Sequence, residues 1–204
     1  MRTFEAHPLT PGRWNDFEAL FGAKGACGGC WCMFPRLRRS EYERLKGDGN
    51  RRAMKKLVDS GRIPGILGYV EGQPVAWCSI EPRELIGSLA RSRILAPVDD
   101  EPVWSIVCLF LSKIHRGRGL STKMIEAAVR HAKENGASIV EAYPVEPKKA
   151  PMPAVFAYPG IASAYLAAGF REAARRSETR PIMRRPVSSS LRARRARNDR
   201  SASG

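Results

Sequence analysis

Acidic residues are in short supply. The 204-residue chain holds 20 Asp plus Glu against 35 Lys plus Arg, with three His, so its formal charge is +15. That excess points to an anionic partner and says nothing about fold. Long apolar runs are also missing. The longest, Ile106–Leu111, falls far short of the roughly 20 residues that span a bilayer, so no membrane partner is expected. The opening MRTFEAHPLT lacks an apolar core, which predicts no secretory signal and a cytoplasmic location. Five cysteines are too few for a disulfide scaffold, and their odd number leaves at least one thiol free. With 43% apolar and 27% charged residues the chain is neither disordered throughout nor membrane-embedded, and its length suits a single domain.

The positive charge is unevenly spread. Arg184–Gly204 carries seven Arg and one acid, Asp199, which is +6 of the total and leaves about +9 elsewhere. Residues 187–204 hold little that could be buried, so they read as a disordered Arg/Ser-rich tail behind a domain at 1–186. Such a tail reads first as a solvated segment and second as a weak nucleic-acid contact, since it has no aromatics to stack on bases. A phosphate-rich small molecule would account for the rest of the charge.

Periodicity predicts a strand at Thr3–His7, a helix from Thr10 to Phe21, and a Gly- and Cys-rich loop over Gly22–Pro35. A second helical stretch runs from Ser40 to Ser60, broken at Gly47-Asp48-Gly49. Ile66–Val70 and Pro74–Ile80 flank Glu71-Gly72-Gln73 and read as a hairpin. After an excursion at 82–101, Val103–Leu111 is nearly all apolar, as in a strand covered on both faces. Leu120–Asn135 is a strongly amphipathic helix, and Ser138–Tyr143 the next strand. A Pro-rich loop, a short helix at Ile161–Ala168 and a strand pair ending near Met183 complete an α/β chain with a mixed sheet.

Chemistry concentrates in Ile114–Ser121, between the buried strand and the strong helix. Gly117 and Gly119 permit a tight turn with bare amides, and the helix behind them presents its positive dipole end. That combination makes an anion cradle suited to a pyrophosphate, with Arg116 and Arg118 at its rim. The Gly-Lys-Ser/Thr ending of a P-loop and the third glycine of a dinucleotide fingerprint are both absent.

Arg116-Gly117-Arg118-Gly119-Leu120-Ser121 resembles the acyl-CoA loop of the GNAT superfamily of N-acetyltransferases, Arg/Gln-x-x-Gly-x-Gly/Ala, with Ser121 replacing the last small residue. Ser163–Phe170 is similar to that family's late helix, in which a Tyr, here Tyr165, stands four residues before Gly-Phe. The family's Asn seven residues before this Tyr is replaced by Tyr158. The resemblance covers about residues 3–184 and implies a mixed central sheet flanked by helices on both faces, with a homodimer as a common state. It implies acetyl-CoA as acyl donor, its pantetheine along Val107, Cys108 and Leu109 and its pyrophosphate on residues 116–121. A strand amide near Val107 or Cys108 would polarise the acetyl carbonyl. Tyr165 would protonate the departing thiolate, or else simply fill the core.

The amine must lose a proton, and Val103–Leu111 contains no carboxylate. Glu81 is the leading candidate base, ahead of Asp99, Asp100 and Glu101. Cys27-Gly28-Gly29-Cys30-Trp31-Cys32 has the spacing of a metal or redox site but no second ligand pair, so no metal is assigned. The string resembles a branch of bacterial GNAT proteins. Its leading reading is a reduced loop bordering the acceptor, with Trp31 and Phe34 as substrate-binding wall. Cys78 and Cys108 read as core, where a thiol is inert. The expected function is acetyl transfer by direct attack of a small primary amine. The rivals are a macromolecular amine, on protein or aminoacyl-tRNA, and a non-catalytic acyl-CoA-binding or metal-sensing module.

Overall fold

The structure is a computed structural model that describes residues 3–147 and 158–187. The basic tail expected at 187–204 lies, past Val187, outside the described residues. In chain order the elements are β1 (Phe4–Pro8), α1 (Trp14–Phe21), α2 (Arg39–Arg44), α3 (Asp48–Asp59), β2 (Gly65–Val70), β3 (Gln73–Pro82), α4 (Gly87–Ala90), β4 (Trp104–Leu111), α5 (Leu120–Glu134), β5 (Ile139–Ala142), α6 (Ala162–Ala167), β6 (Arg171–Arg175) and β7 (Pro181–Pro186). They form one seven-stranded sheet in the order β1-β2-β3-β4-β5-β7-β6. Only β4 and β5 run parallel, joined by the α5 crossover.

Local chemistry explains most boundaries. Glu71 and Gly72 have φ of 51° and 73°, the two positive values that a tight hairpin turn between twisted strands requires. The helical stretch after Ser40 divides around Gly47, whose φ of 83° ends one helix and starts the next, so Asp48 and Gly49 lie inside α3 rather than in the break. β3 runs two residues beyond the expected Ile80, which brings Glu81 into the sheet.

Alternation along the strands sends side chains to two cores. Ile66, Cys78, Ile80, Ile106 and Leu109 pack with Met124, Ile125 and Ala128 of α5 and Tyr165 of α6. Leu67, Tyr69 and Trp77 face Trp14, Phe17 and Phe21 of α1, Met54 and Val58 of α3, and the Cys-rich loop. Helices thus cover both faces. Gly68 lets α5 settle closely, since a Cβ there would lie 2.8 Å from Met124 Sδ.

Two features of β4 place the site. Ser79 pairs with Cys108 and Ile80 with Ile106, so Val107 is a bulge residue without a partner on β3. On the other edge, β5 pairs with β4 only from Trp104 to Ile106 and ends at Ala142, while β4 continues to Leu111. The strands part like a fork.

A buried charge cluster pins the fork's base. Glu141 is 0% exposed and accepts from Arg83 Nη1 at 3.0 Å, Arg184 Nε at 2.7 Å and the Tyr143 hydroxyl at 2.5 Å. Arg184 also reaches Asp99 at 2.6 Å, so this arginine belongs to the folded sheet rather than to a tail. Glu141→Ala would leave Arg83 without its counter-charge and Arg184 with Asp99 alone, and a loss of about 3–5 kcal/mol is expected in urea denaturation. A variant that unfolds at the wild-type midpoint would show the cluster to be dispensable.

Candidate active site

The stretch expected to cradle an anion lies where β4 feeds α5. A 3₁₀ turn at Lys113–His115 follows the strand, closed by a 2.7 Å bond between Ser112 Oγ and His115 Nδ1. Arg116 folds back so that its Nε donates to the Leu111 carbonyl at 3.2 Å. Gly117 and Gly119 have φ of 73° and 72°, and Gly119 caps α5 in the left-handed conformation. Among the described residues no backbone carbonyl pairs with the amides of Gly117, Arg118, Gly119 and Leu120. A Cβ built on Gly117 or Gly119 meets nothing within 4 Å, so the cradle is open. Bare amides, a 15-residue helix start and the Arg118 charge together suit a pyrophosphate.

Inside the fork the amide of Leu109 is directed away from β3. It donates to the Tyr158 carbonyl at 2.7 Å. Tyr165 lies behind, fully buried, donating its hydroxyl to the Pro159 carbonyl at 2.8 Å. Gly160 is glycine because a Cβ would come within 2.8 Å of the Tyr165 ring. Burial pushes the Tyr165 hydroxyl well above the ordinary tyrosine value, and the nearby thiols of Cys78 and Cys108 add to this. α6, the Tyr158–Gly160 turn and β4 thus bring Leu109 and Tyr165 together, while Cys108 packs toward the other core.

Two residues assigned from sequence occupy other positions. Glu81 is 1% exposed, with one oxygen bonded to Arg36 and the other to Arg62 Nε at 2.5 Å. Both oxygens are held by guanidinium groups, so Glu81 serves as an anchor for Arg36. Trp31, expected to line a substrate pocket, is core: it stacks on Phe21 with ring centres 5.8 Å apart and planes 15° apart. Phe34 does stand at the surface, 45% exposed, its ring edge-on to Tyr42 at 5.3 Å and to Tyr158 at 5.8 Å. Asp99 is engaged with Arg184, and Asp100 and Glu101 line a separate cleft beneath the 82–101 excursion. Among the described residues no group of three His, Cys, Asp or Glu side chains has metal-binding geometry, and all five cysteines are free thiols.

Arg36 and Ser79 were not singled out from sequence. The available signal was the polar alternation in Trp77-Cys78-Ser79-Ile80-Glu81, which puts Ser79 and Glu81 on one face of an otherwise apolar strand. Arg36 crosses that face, donating to Ser79 Oγ at 3.1 Å and to the Pro64 carbonyl at 2.9 Å.

With a parting strand pair and a glycine cradle at its end, the geometry can be set beside known proteins. The family model of the acetyltransferase (GNAT) family matches residues 31–156, more than half of the sequence. The chain belongs to the GNAT family. It is therefore an acetyltransferase that draws its acyl group from acetyl-CoA. Among solved structures it is similar to the PaiA N-acetyltransferase of Thermoplasma acidophilum in complex with coenzyme A, at 10% identity over 91% of this chain and 99% of that one, TM-score 0.51. It also resembles a GNAT acetyltransferase of Listeria monocytogenes, at 13% identity, coverage of 90% and 95%, TM-score 0.54. A third is the insect putative arylalkylamine N-acetyltransferase 7 of Aedes aegypti, at 10% identity, coverage of 91% and 88%, TM-score 0.58. At such identities the likeness is one of fold. No curated protein sequence matches the chain.

The cradle of this GNAT enzyme is testable. Gly119→Glu would add a carboxylate where space is open, and acetyl-CoA affinity measured by calorimetry is expected to fall at least about tenfold. Gly119→Asn, which tolerates the positive φ and adds no charge, should bind within a few-fold of wild type. Unchanged affinity in Gly119→Glu would remove this loop from the donor site.

Proposed function

We propose that this GNAT enzyme transfers an acetyl group to the primary amine of a small molecule by direct attack. The observation that carries the acceptor size is the contact between Phe34 and Tyr158, rings 5.8 Å apart. Phe34 belongs to the Cys-rich loop and Tyr158 to the turn that bonds Leu109, so the contact bridges the acceptor side of the fork. An approach walled by two aromatic rings suits a small amine better than a folded macromolecule. No helix among the described residues is long and apolar enough to cross a membrane.

Acetyl-CoA supplies an activated acetyl thioester. Gly117, Arg118, Gly119, Leu120 and Ser121 hold its pyrophosphate by their amides, and Arg116 and Arg118 oppose its charge. Val107, Cys108 and Leu109 line its arm, and the fork-facing Leu109 amide polarises the acetyl carbonyl once the Tyr158 carbonyl it now binds gives way. Tyr165 keeps its proton at neutral pH, as its raised value requires, and gives it to the sulfur that departs.

Thermal unfolding tests the donor first. Acetyl-CoA at about 100 times its Kd should stabilise the protein by roughly 2.7 kcal/mol, a shift of several degrees. A free-thiol assay across small amines, a lysine peptide and aminoacyl-tRNA then ranks acceptors, with a small amine expected to give the highest kcat/KM. Tyr165→Phe should lower kcat by about a hundredfold with little change in the acetyl-CoA KM. Equal turnover would assign Tyr165 to packing, and preference for the peptide or tRNA would overturn the small-acceptor reading.

A further inference from the structure

The Cys-rich loop holds one thiol in an unusual place. Trp31 and Cys32 have φ of 45° and 53°, a left-handed conformation that bulky residues keep only when their surroundings enforce it. Here Trp31 is the enforcing element. Its indole lies against Phe21 and over Gly25, where a Cβ would sit 2.3 Å from the ring nitrogen. The loop therefore presents Cys32, 1% exposed, to the sheet where Ser79 of β3 pairs with Cys108 of β4.

What surrounds that sulfur favours its anion. Burial raises the Cys32 thiol, but neighbouring Cys108, the Arg36 charge and the polar groups of Trp77 and Ser79 outweigh it and bring the thiol down to about 7. The buried Trp77 Nε1 and Arg36 Nε are left without a hydrogen-bond partner. Arg36 cannot turn away, being bonded to Ser79, the Pro64 carbonyl and Glu81. Cys108, beside Cys32, is pushed well above the ordinary thiol value, by that neighbour first and by desolvation second. The other titratable groups nearby are Cys30 on the same loop, Cys78 on β3, Tyr42 of α2 beside Cys30, and Tyr165 of α6 near Cys108. Glu81 is neutralised by Arg36 and Arg62.

Cys108 is the partly exposed member of the pair. It follows the Val107 bulge and precedes the fork-facing Leu109 amide. We propose that Cys108 is the proton acceptor for the incoming amine, with Cys32, packed in the same cluster beside the pinned Arg36, as its positioning partner. The N–H bond of the ammonium breaks and an S–H bond forms on Cys108, whose own proton passes to Cys32. The pair goes from one shared proton and a single negative charge to two protons and none. The nitrogen keeps its electron pair for attack, and water later removes the extra proton. This gives the reaction a base although β4 carries no carboxylate and Glu81 is engaged.

The inference rests on the acetyl-transfer reading, and its test separates the two. Thiolate absorbance of the intact protein against pH should show one group titrating near 7, lost in Cys32→Ser and moved upward in Cys108→Ala. Saturating acetyl-CoA should protect Cys108 from iodoacetamide at least tenfold, read by peptide mass spectrometry. With the best amine of the panel, wild-type kcat/KM should fall below about pH 7, because the pair must be deprotonated to accept a proton. In Cys108→Ala, kcat should drop at least tenfold while the acetyl-CoA thermal shift persists, and Cys108→Ser should fold alike and show the same loss. No thiolate near 7, no protection of Cys108, or an unchanged pH limb in Cys32→Ser would each overturn the proposal. Acetylated Cys108 after incubation with acetyl-CoA alone would replace it with a nucleophile. A missing acetyl-CoA shift with the thiolate present would instead defeat the donor reading.

Discussion

The structure depends on the early end of β5. A parallel pair that stayed together to Leu111 would consume the outer edge of β4 in ladder bonds and leave no strand amide free for anything else. By stopping at Ala142, β5 turns the second half of β4 into an inner edge inside the molecule, protected from aggregation yet short of partners. The Tyr158 carbonyl meets the Leu109 amide there, Tyr165 packs behind, and β4 runs on to deliver the glycine cradle at the start of α5. Cradle and fork are two ends of the same strand, so a pyrophosphate and a thioester joined by one flexible arm can be read by one element.

Parting two strands in the middle of a sheet weakens it, and buried charge offsets the weakness at two points. Glu141 ties Arg83 and Arg184 together below the fork, joining the 82–101 excursion to β5 and β7. Glu81 ties Arg36 and Arg62 above it, joining the Cys-rich loop to β3. Each carboxylate meets two guanidinium groups, so no anion is left bare in a low-dielectric interior. The second clamp has a consequence for chemistry, because a fixed Arg36 is what lets a buried Cys32 carry negative charge. Stabilisation of the loop and tuning of its thiol come from the same arginine.

Much of this was legible in the sequence. Strands and long helices followed from periodicity, since burial on a strand or helix face imposes period 2 or 3.6 on neighbouring residues. The cradle was legible because a tight turn with bare amides needs glycine at Gly117 and Gly119, and that need is local. Glu81, Trp31 and Cys108 were harder. A carboxylate beside an apolar run looks the same whether it faces solvent or two arginines 45 and 19 positions away along the chain. Trp31 could be pocket or core until its stacking on Phe21 was seen. The bulge at Val107 leaves no compositional mark, although it helps decide where Cys108 stands.

The sequence by itself determined most strands and long helices, the mixed α/β architecture and the glycine turn before α5, because each is written in short-range spacing. Only the tertiary structure decided which groups meet: Cys32 with Cys108, Arg36 with Glu81, Tyr165 with the Tyr158–Gly160 turn. The physical reason is that a proton's location and a charge's cost depend on the few groups within a few ångströms. In this fold those neighbours come from segments far apart in the chain.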